Sequence, residues 1–133
     1  MAILELREKL DNGSISKKEL FDNSINMAKE YQDEYNSFVT IVENYEDADS
    51  NSILSGIPYA LKDNISTKGI LTTASSNILS DYVPVYDATV YRKLKEAGAL
   101  LVGKTVLDEL AMGGTGTTGH TGVVYNPWNK TRQ

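Results

Sequence analysis

Lys62 ends a short apolar run, Gly56-Ile-Pro-Tyr-Ala-Leu-Lys62-Asp63-Asn64, and chemistry could begin at that placement. An ammonium taken out of water is costly unless it is paired or neutral. Desolvation lowers a lysine pKa, and the neutral amine can then serve as a general base. The ordinary alternative is a rim lysine whose stem packs while its head stays wet. Asp63 is expected to orient the local backbone by accepting hydrogen bonds rather than to react. The chain has no cysteine, which excludes a thiolate nucleophile, a Cys-based metal site and a disulfide framework. Its one histidine, His120, lies in a glycine-rich stretch and is expected to be a loop residue, which leaves a His-dependent triad or a His-rich zinc site poorly supplied.

Two glycine patterns invite a nucleotide reading and fail on context. Gly98-Ala-Leu-Leu-Val-Gly103-Lys104-Thr105 satisfies GxxxxGKT. A phosphate-binding loop needs a strand before it and a helix after it, whereas here a helix precedes and the middle four residues read as a strand. Gly114-Thr-Gly116-Thr-Thr-Gly119 satisfies GxGxxG. The dinucleotide fingerprint requires a helix next, and His-Thr-Gly-Val-Val-Tyr-Asn-Pro is no helix start. These glycines better serve a backbone that comes close to a ligand or another loop.

The elements that must position Lys62 are legible. The chain has 133 residues, 41% hydrophobic and 23% charged, which is ordinary globular material. Its net charge of -5 argues against a nucleic-acid surface, and no apolar run is long enough to span a membrane. The N-terminal stretch is not a signal peptide, and a cytoplasmic protein is the simplest reading. Ile3, Leu6 and Leu10 predict a short helix over residues 2–10, broken at Asn12-Gly13. Ser16-Lys-Lys-Glu19 reads as a capping box opening a helix to about residue 35. Leu20, Met27 and Tyr31 line one face of it, with Phe21, Ile25 and Ala28 beside them. Residues 38–42 predict a strand, residues 43–55 an exposed acidic connection, and Thr67-Lys68-Gly69 a turn. Asp87 is expected to cap a helix over 88–97 with Val90, Leu94 and Ala97 inward, ended by Gly98. Ala99–Thr105 then predicts a strand buried on both faces, and residues 112–122 a loop, with Trp128 a packing anchor in a turn beyond it. The order of helix and strand points to an α/β fold.

Read together, GIPYALKDNISTKG, TTASS, YDATVYRKLKEAGALLVGKTVLDELAMG and NPWN resemble the amidase signature family, in order and spacing, over roughly residues 56–133. Within it the chain is similar to the A-subunit branch of the glutamyl-tRNA(Gln) amidotransferases, and its N-terminal helices are similar too. The resemblance implies a mixed sheet covered by helices. It also implies an organisation in which residues 1–133 form an incomplete amidase domain, with helices over 1–35 and the start of the core over 36–133.

For activity, the resemblance implies a Ser-cisSer-Lys triad in which Lys62 deprotonates a bridging serine that activates a nucleophilic serine. Both serines and the backbone oxyanion donors are expected in a Gly-Ser-rich segment after NPWN, so the 133 residues alone are expected to be inactive. Met112, Gly113 and Gly114 match the family's loop near the substrate amide. Glutamine would be the ammonia source, the B and C subunits of the amidotransferase the partners, and Glu-tRNA(Gln) would be held by the B partner. No cofactor is expected on this chain, ATP and magnesium being used by a partner. A free-standing amidase and a non-catalytic fragment remain alternatives. Two departures from the family pattern stand out: a short spacer at residues 43–55, and GTGTTGHTGVVY where relatives often carry Ser/Thr-Glu-Asn.

Overall fold

A computed structural model describes residues 3–47 and 50–132. Ala2 of the first expected helix, and Ala48 and Asp49 of the acidic connection, lie outside the described residues. The elements run α1 (Ile3–Asp11), α2 (Lys17–Tyr35), β1 (Phe38–Ile41), β2 (Pro58–Lys62), α3 (Thr89–Glu96) and β3 (Leu100–Thr105). Single 3-10 turns lie at Asn77–Leu79 and Glu109–Ala111. The three strands form one mixed sheet in the order β1-β3-β2. β1 is antiparallel to β3, and β2 is parallel to it, with α3 on the crossover between them.

Local signals explain most of these bounds. The Ser16 hydroxyl accepts from the Glu19 N–H at 3.1 Å, the serine half of the capping box. α3 closes in a Schellman motif: the Gly98 N–H donates to the Lys95 carbonyl and the Ala99 N–H to the Leu94 carbonyl. The Ile70 N–H donates to the Thr67 carbonyl, closing the expected turn. Asp87, however, does not cap α3. The cap position falls on Ala88, and the Asp87 carboxylate accepts from the Lys68 N–H at 2.7 Å, which ties the 67–69 turn to the start of the helix.

β3 is the central strand, and its two faces carry two apolar clusters. Leu100 and Val102 pack against Phe21 and Ile25 of α2, while Leu101 packs with Leu61 and Tyr91. Alternation along β3 is thus the period-two rule at work, with apolar residues needed on both sides. Helix faces differ from expectation. On α2 the buried pair is Phe21 and Ile25, whereas Met27 and Tyr31 are exposed. On α3 the inward residue is Tyr91 with Leu94 beside it, and Val90 faces out. The acidic connection is less free than expected. Tyr45 meets Phe21 edge-on at 5.5 Å, and Glu43, Glu46 and Asp47 pair with Lys29, Lys95 and Lys17. No helix among the described residues is long and apolar enough to cross a membrane.

Candidate active site

Parallel strands in an open α/β sheet bring their carboxyl ends to one edge, where loops converge and ligands commonly bind. In this chain Lys62 and Thr105 are register partners at the ends of β2 and β3. Asp63 continues the pairing by donating its N–H to the Thr105 carbonyl at 3.1 Å. Residues 72–76 and 106–120 then fold over this edge and bond to each other. The Leu110 N–H donates to the Ala74 carbonyl, the His120 N–H to the Ser75 carbonyl, and the Leu107 N–H to Ser75 Oγ. Ser76 Oγ donates to Glu109 Oε1 at 2.7 Å.

Backbone strain collects at the same place. Among the described residues five non-glycine residues have positive φ, and four of them, Ala74, Ser75, Leu110 and Ala111, sit in these two segments. Left-handed backbone costs a side-chain-bearing residue of order 1–3 kcal/mol and persists only where the surroundings impose it, as functional sites often do. The bond from Leu110 to Ala74 joins the two strained pairs directly.

The two lysines at strand ends part company. Lys62 is exposed, so the described residues form no dry pocket around its amine. Lys104 is the buried one. Its side chain and that of Asp63 are both fully inaccessible, with Nζ 3.7 Å from Asp63 Oδ1. Lys104 also donates to the Ile65 carbonyl at 2.9 Å and to Thr72 Oγ1 at 2.7 Å. Burial pushes the Lys104 amine below the usual lysine range, and the Asp63 carboxylate opposes that shift. Asp63 Oδ2 accepts from the Thr73 N–H at 2.9 Å and Thr73 Oγ1 at 2.5 Å, while Oδ1 has no hydrogen-bond partner among the described residues. Asp63 therefore does orient backbone, as its position beside Lys62 implied. In the sequence Lys104 falls within the GxxxxGKT pattern, whose residues 100–105 form strand β3 rather than a phosphate-binding turn. Its only signal was a cation at the end of a doubly apolar strand, the same signal that drew attention to Lys62.

The glycine-rich segment is organised by Asp108. Its carboxylate accepts from the N–H groups of Thr115 (2.8 Å), Gly116 (2.9 Å), Thr117 (2.9 Å) and Thr118 (3.2 Å), and from Thr118 Oγ1 at 3.0 Å. These donors hold the carboxyl well below the usual carboxylate range, the Gly116 N–H foremost. Two glycines are needed for close approach. A Cβ on Gly113 would lie 2.6 Å from Asp108 Cγ, and one on Gly119 would lie 2.8 Å from the Leu107 carbonyl oxygen. The GxGxxG backbone thus wraps a carboxylate of its own chain, and the expectation that it approaches another loop holds.

Met112, Gly113 and Gly114 are exposed on this loop, and His120 is an exposed loop residue as expected. Trp128 is 95% exposed, so in this chain it sits in a turn without anchoring it. A cleft of about 570 Å³ lies elsewhere, lined by Val42, Tyr59, Ile70, Asp87 and Tyr91 among others, and Lys62 is not part of its lining. The convergence of strained loops, not cleft size, marks the carboxyl-end edge as the candidate. No group of His, Asp or Glu side chains among the described residues is arranged to hold a metal ion.

Comparisons with known proteins agree on one family. The Amidase family model matches residues 13–133. The chain is 46% identical over 140 residues to the A subunit of the glutamyl-tRNA(Gln) amidotransferase of Oenococcus oeni, covering 98% of this chain and 29% of that protein. The crystal structure of the Thermotoga maritima counterpart, also an A subunit, superposes with a TM-score of 0.85 at 36% identity, over 98% of this chain and 28% of that one. A crystal structure of an amidase gives a TM-score of 0.84 at 29% identity, over 100% and 33% of the two chains. The chain therefore spans no more than about a third of the length of these relatives.

Proposed function

The chain belongs to the amidase family, and from that premise we propose that it supplies the lysine of an amide-hydrolysing Ser-cisSer-Lys site in an amidotransferase of the glutamyl-tRNA(Gln) type, as its A subunit. One observation carries the reading: Lys62 ends a parallel strand at the edge where two strained loops converge. Its amine would accept a proton from a bridging serine, which takes one in turn from the nucleophilic serine. That oxygen attacks the side-chain amide carbon of glutamine, ammonia leaves, and water hydrolyses the acyl-enzyme. Backbone N–H donors would stabilise the tetrahedral oxyanion. Met112, Gly113 and Gly114 would border the amide. Both serines would come from sequence following NPWN, so the 133 residues alone should release no ammonia from glutamine. In the assembled enzyme the ammonia would pass to a B partner that holds Glu-tRNA(Gln) and uses ATP and magnesium, with a small C partner completing a heterotrimer.

A free-standing amidase is the second reading, favoured by Gly114-Thr-Gly-Thr-Thr-Gly-His where relatives often carry Ser/Thr-Glu-Asn. Co-purification with two further subunits separates the readings.

The test is a chimera in which this chain replaces the matching N-terminal segment of the Thermotoga maritima protein, with ammonia release from glutamine as the assay. Turnover is expected, and Lys62→Ala should abolish it. Undiminished turnover in Lys62→Ala would overturn the assignment.

A further inference from the structure

Four consecutive backbone N–H groups, Thr115 to Thr118, converge on one point, the arrangement that binds anions where a glycine-rich loop meets a phosphate. Here the point is filled by Asp108, only 6% exposed. We propose that Asp108 is the resident anion of this loop and the positioning residue for Met112–Gly114. The assignment of those three residues to the substrate side rests on the function proposed above. The anion role of Asp108 does not.

The geometry shows how positioning follows. Residues 108–118 close into a ring: the Ala111 N–H donates back to the Asp108 carbonyl at 2.8 Å, and the far end of the ring donates to the Asp108 carboxylate. Gly113 lies directly on that carboxylate, since a Cβ there would sit 2.7 Å from Oδ2. The path from Met112 to Gly114 is therefore set by contact with the same group that gathers residues 115–118. Met112 is 84% exposed, so side-chain packing among the described residues contributes little to fixing it. Charge matters as well as shape. An ionised carboxylate offers acceptor sites to all four N–H groups, whereas a neutral amide of the same size offers one oxygen and turns its NH₂ toward donors.

The test is amide hydrogen exchange followed by NMR on the full chain, with the β3 amides of Leu101 to Lys104 as internal reference. In Asp108→Ala, exchange at Thr115–Thr118 should accelerate by roughly tenfold or more relative to β3. Added formate, a carboxylate small enough for the vacated space, should restore protection, and formamide, its neutral counterpart, should not. A merely structural loss would not distinguish the two. If Asp108→Ala fails to fold, Asp108→Asn carries the test, with the same local acceleration expected. Unchanged exchange in either variant, or equal rescue by formamide, overturns the proposal. The outcome is independent of the Lys62→Ala result: exchange rescued by formate in a chain whose chimera works without Lys62 would remove the function and leave this inference standing.

Discussion

Replacing Lys104 by methionine deletes one half of a fully buried ion pair and leaves the other half in place. At 3.7 Å, with an effective dielectric of about 20, the gross attraction is about 4.5 kcal/mol, before the cost of desolvating both groups is subtracted. The net worth of the pair is far smaller than that, but removing one partner is not its mirror image. Among the described residues Asp63 Oδ1 has no hydrogen-bond donor, so without Lys104 its charge sits in a dry site with Thr73 alone on the other oxygen. The Ile65 carbonyl and Thr72 hydroxyl lose a donor as well. Breaking a buried pair in this way costs about 3–5 kcal/mol. Asp63→Asn, which leaves Lys104 charged and unpaired, should cost a similar amount. The double variant removes both charges and keeps an amide for Thr73, so it should lie within about 2 kcal/mol of the parent, a strongly non-additive cycle. Urea midpoints followed by circular dichroism measure all four corners. The sign of the pH dependence gives a second check. The folded-state pKa of Lys104 is lowered, so the unfolded chain binds more protons as pH approaches the ordinary lysine value of about 10.4, and parent stability gains there a contribution that Lys104→Met lacks. Additive single costs, or a Lys104→Met cost below about 1 kcal/mol, would show that the pair does not hold the strand ends together.

Two further outcomes follow from single groups. The Tyr59 hydroxyl is buried without a hydrogen-bond partner among the described residues and its pKa is pushed well above the usual tyrosine range by burial, so Tyr59→Phe should stabilise the chain by about 1 kcal/mol at neutral pH. That pKa is raised above the unfolded value of about 10, so parent stability is full below pH 10 and is lost as pH rises toward the folded value; alkaline unfolding of the phenylalanine variant should lack that component. The Asp108 carboxyl is depressed, so its contribution is present above the ordinary carboxylate value of about 3.9 and fades as pH falls through the lower folded value; the stability gap between parent and Asp108→Asn should persist at about pH 4 and close only in stronger acid.

What could be read from the chain is what neighbours in sequence decide. Ser16 caps α2, Gly98 and Ala99 close α3, and the unbroken apolar run of β3 announces burial on both faces, because each feature is set within a few residues. The errors share a different origin. Val90 and Tyr91 are one residue apart, and which of them faces the sheet depends on how α3 lies across β2 and β3. The Asp87 carboxylate is claimed by the 67–69 turn through a contact nineteen residues away in sequence. Which strand-end lysine is buried is the same problem in its sharpest form, since Lys62 is exposed and Lys104 is enclosed. The register of β2 on β3 shifts between Tyr59 and Ala60, so which strand-end lysine meets the buried Asp63 is fixed by pairing across the sheet. Nothing in the letters of the GxGxxG pattern names Asp108, six residues upstream of its first glycine, as the group its backbone encloses.

The division of labour between the lysines yields the most discriminating expectation. Exposed side chains without a packed environment contribute little, and substitutions there fall within about 0.5 kcal/mol. Lys62→Ala should therefore leave the urea midpoint of the chain unchanged, while in the chimera it should remove turnover. Lys104→Met should lower the midpoint sharply and reduce turnover only as far as it loosens the strand ends. A residue whose loss is silent for folding and fatal for chemistry is one held for the reaction, and one with the reverse profile is scaffold. Should Lys62→Ala destabilise the chain as much as Lys104→Met, the amine at position 62 is engaged in packing that the exposed geometry denies, and its catalytic assignment falls with it.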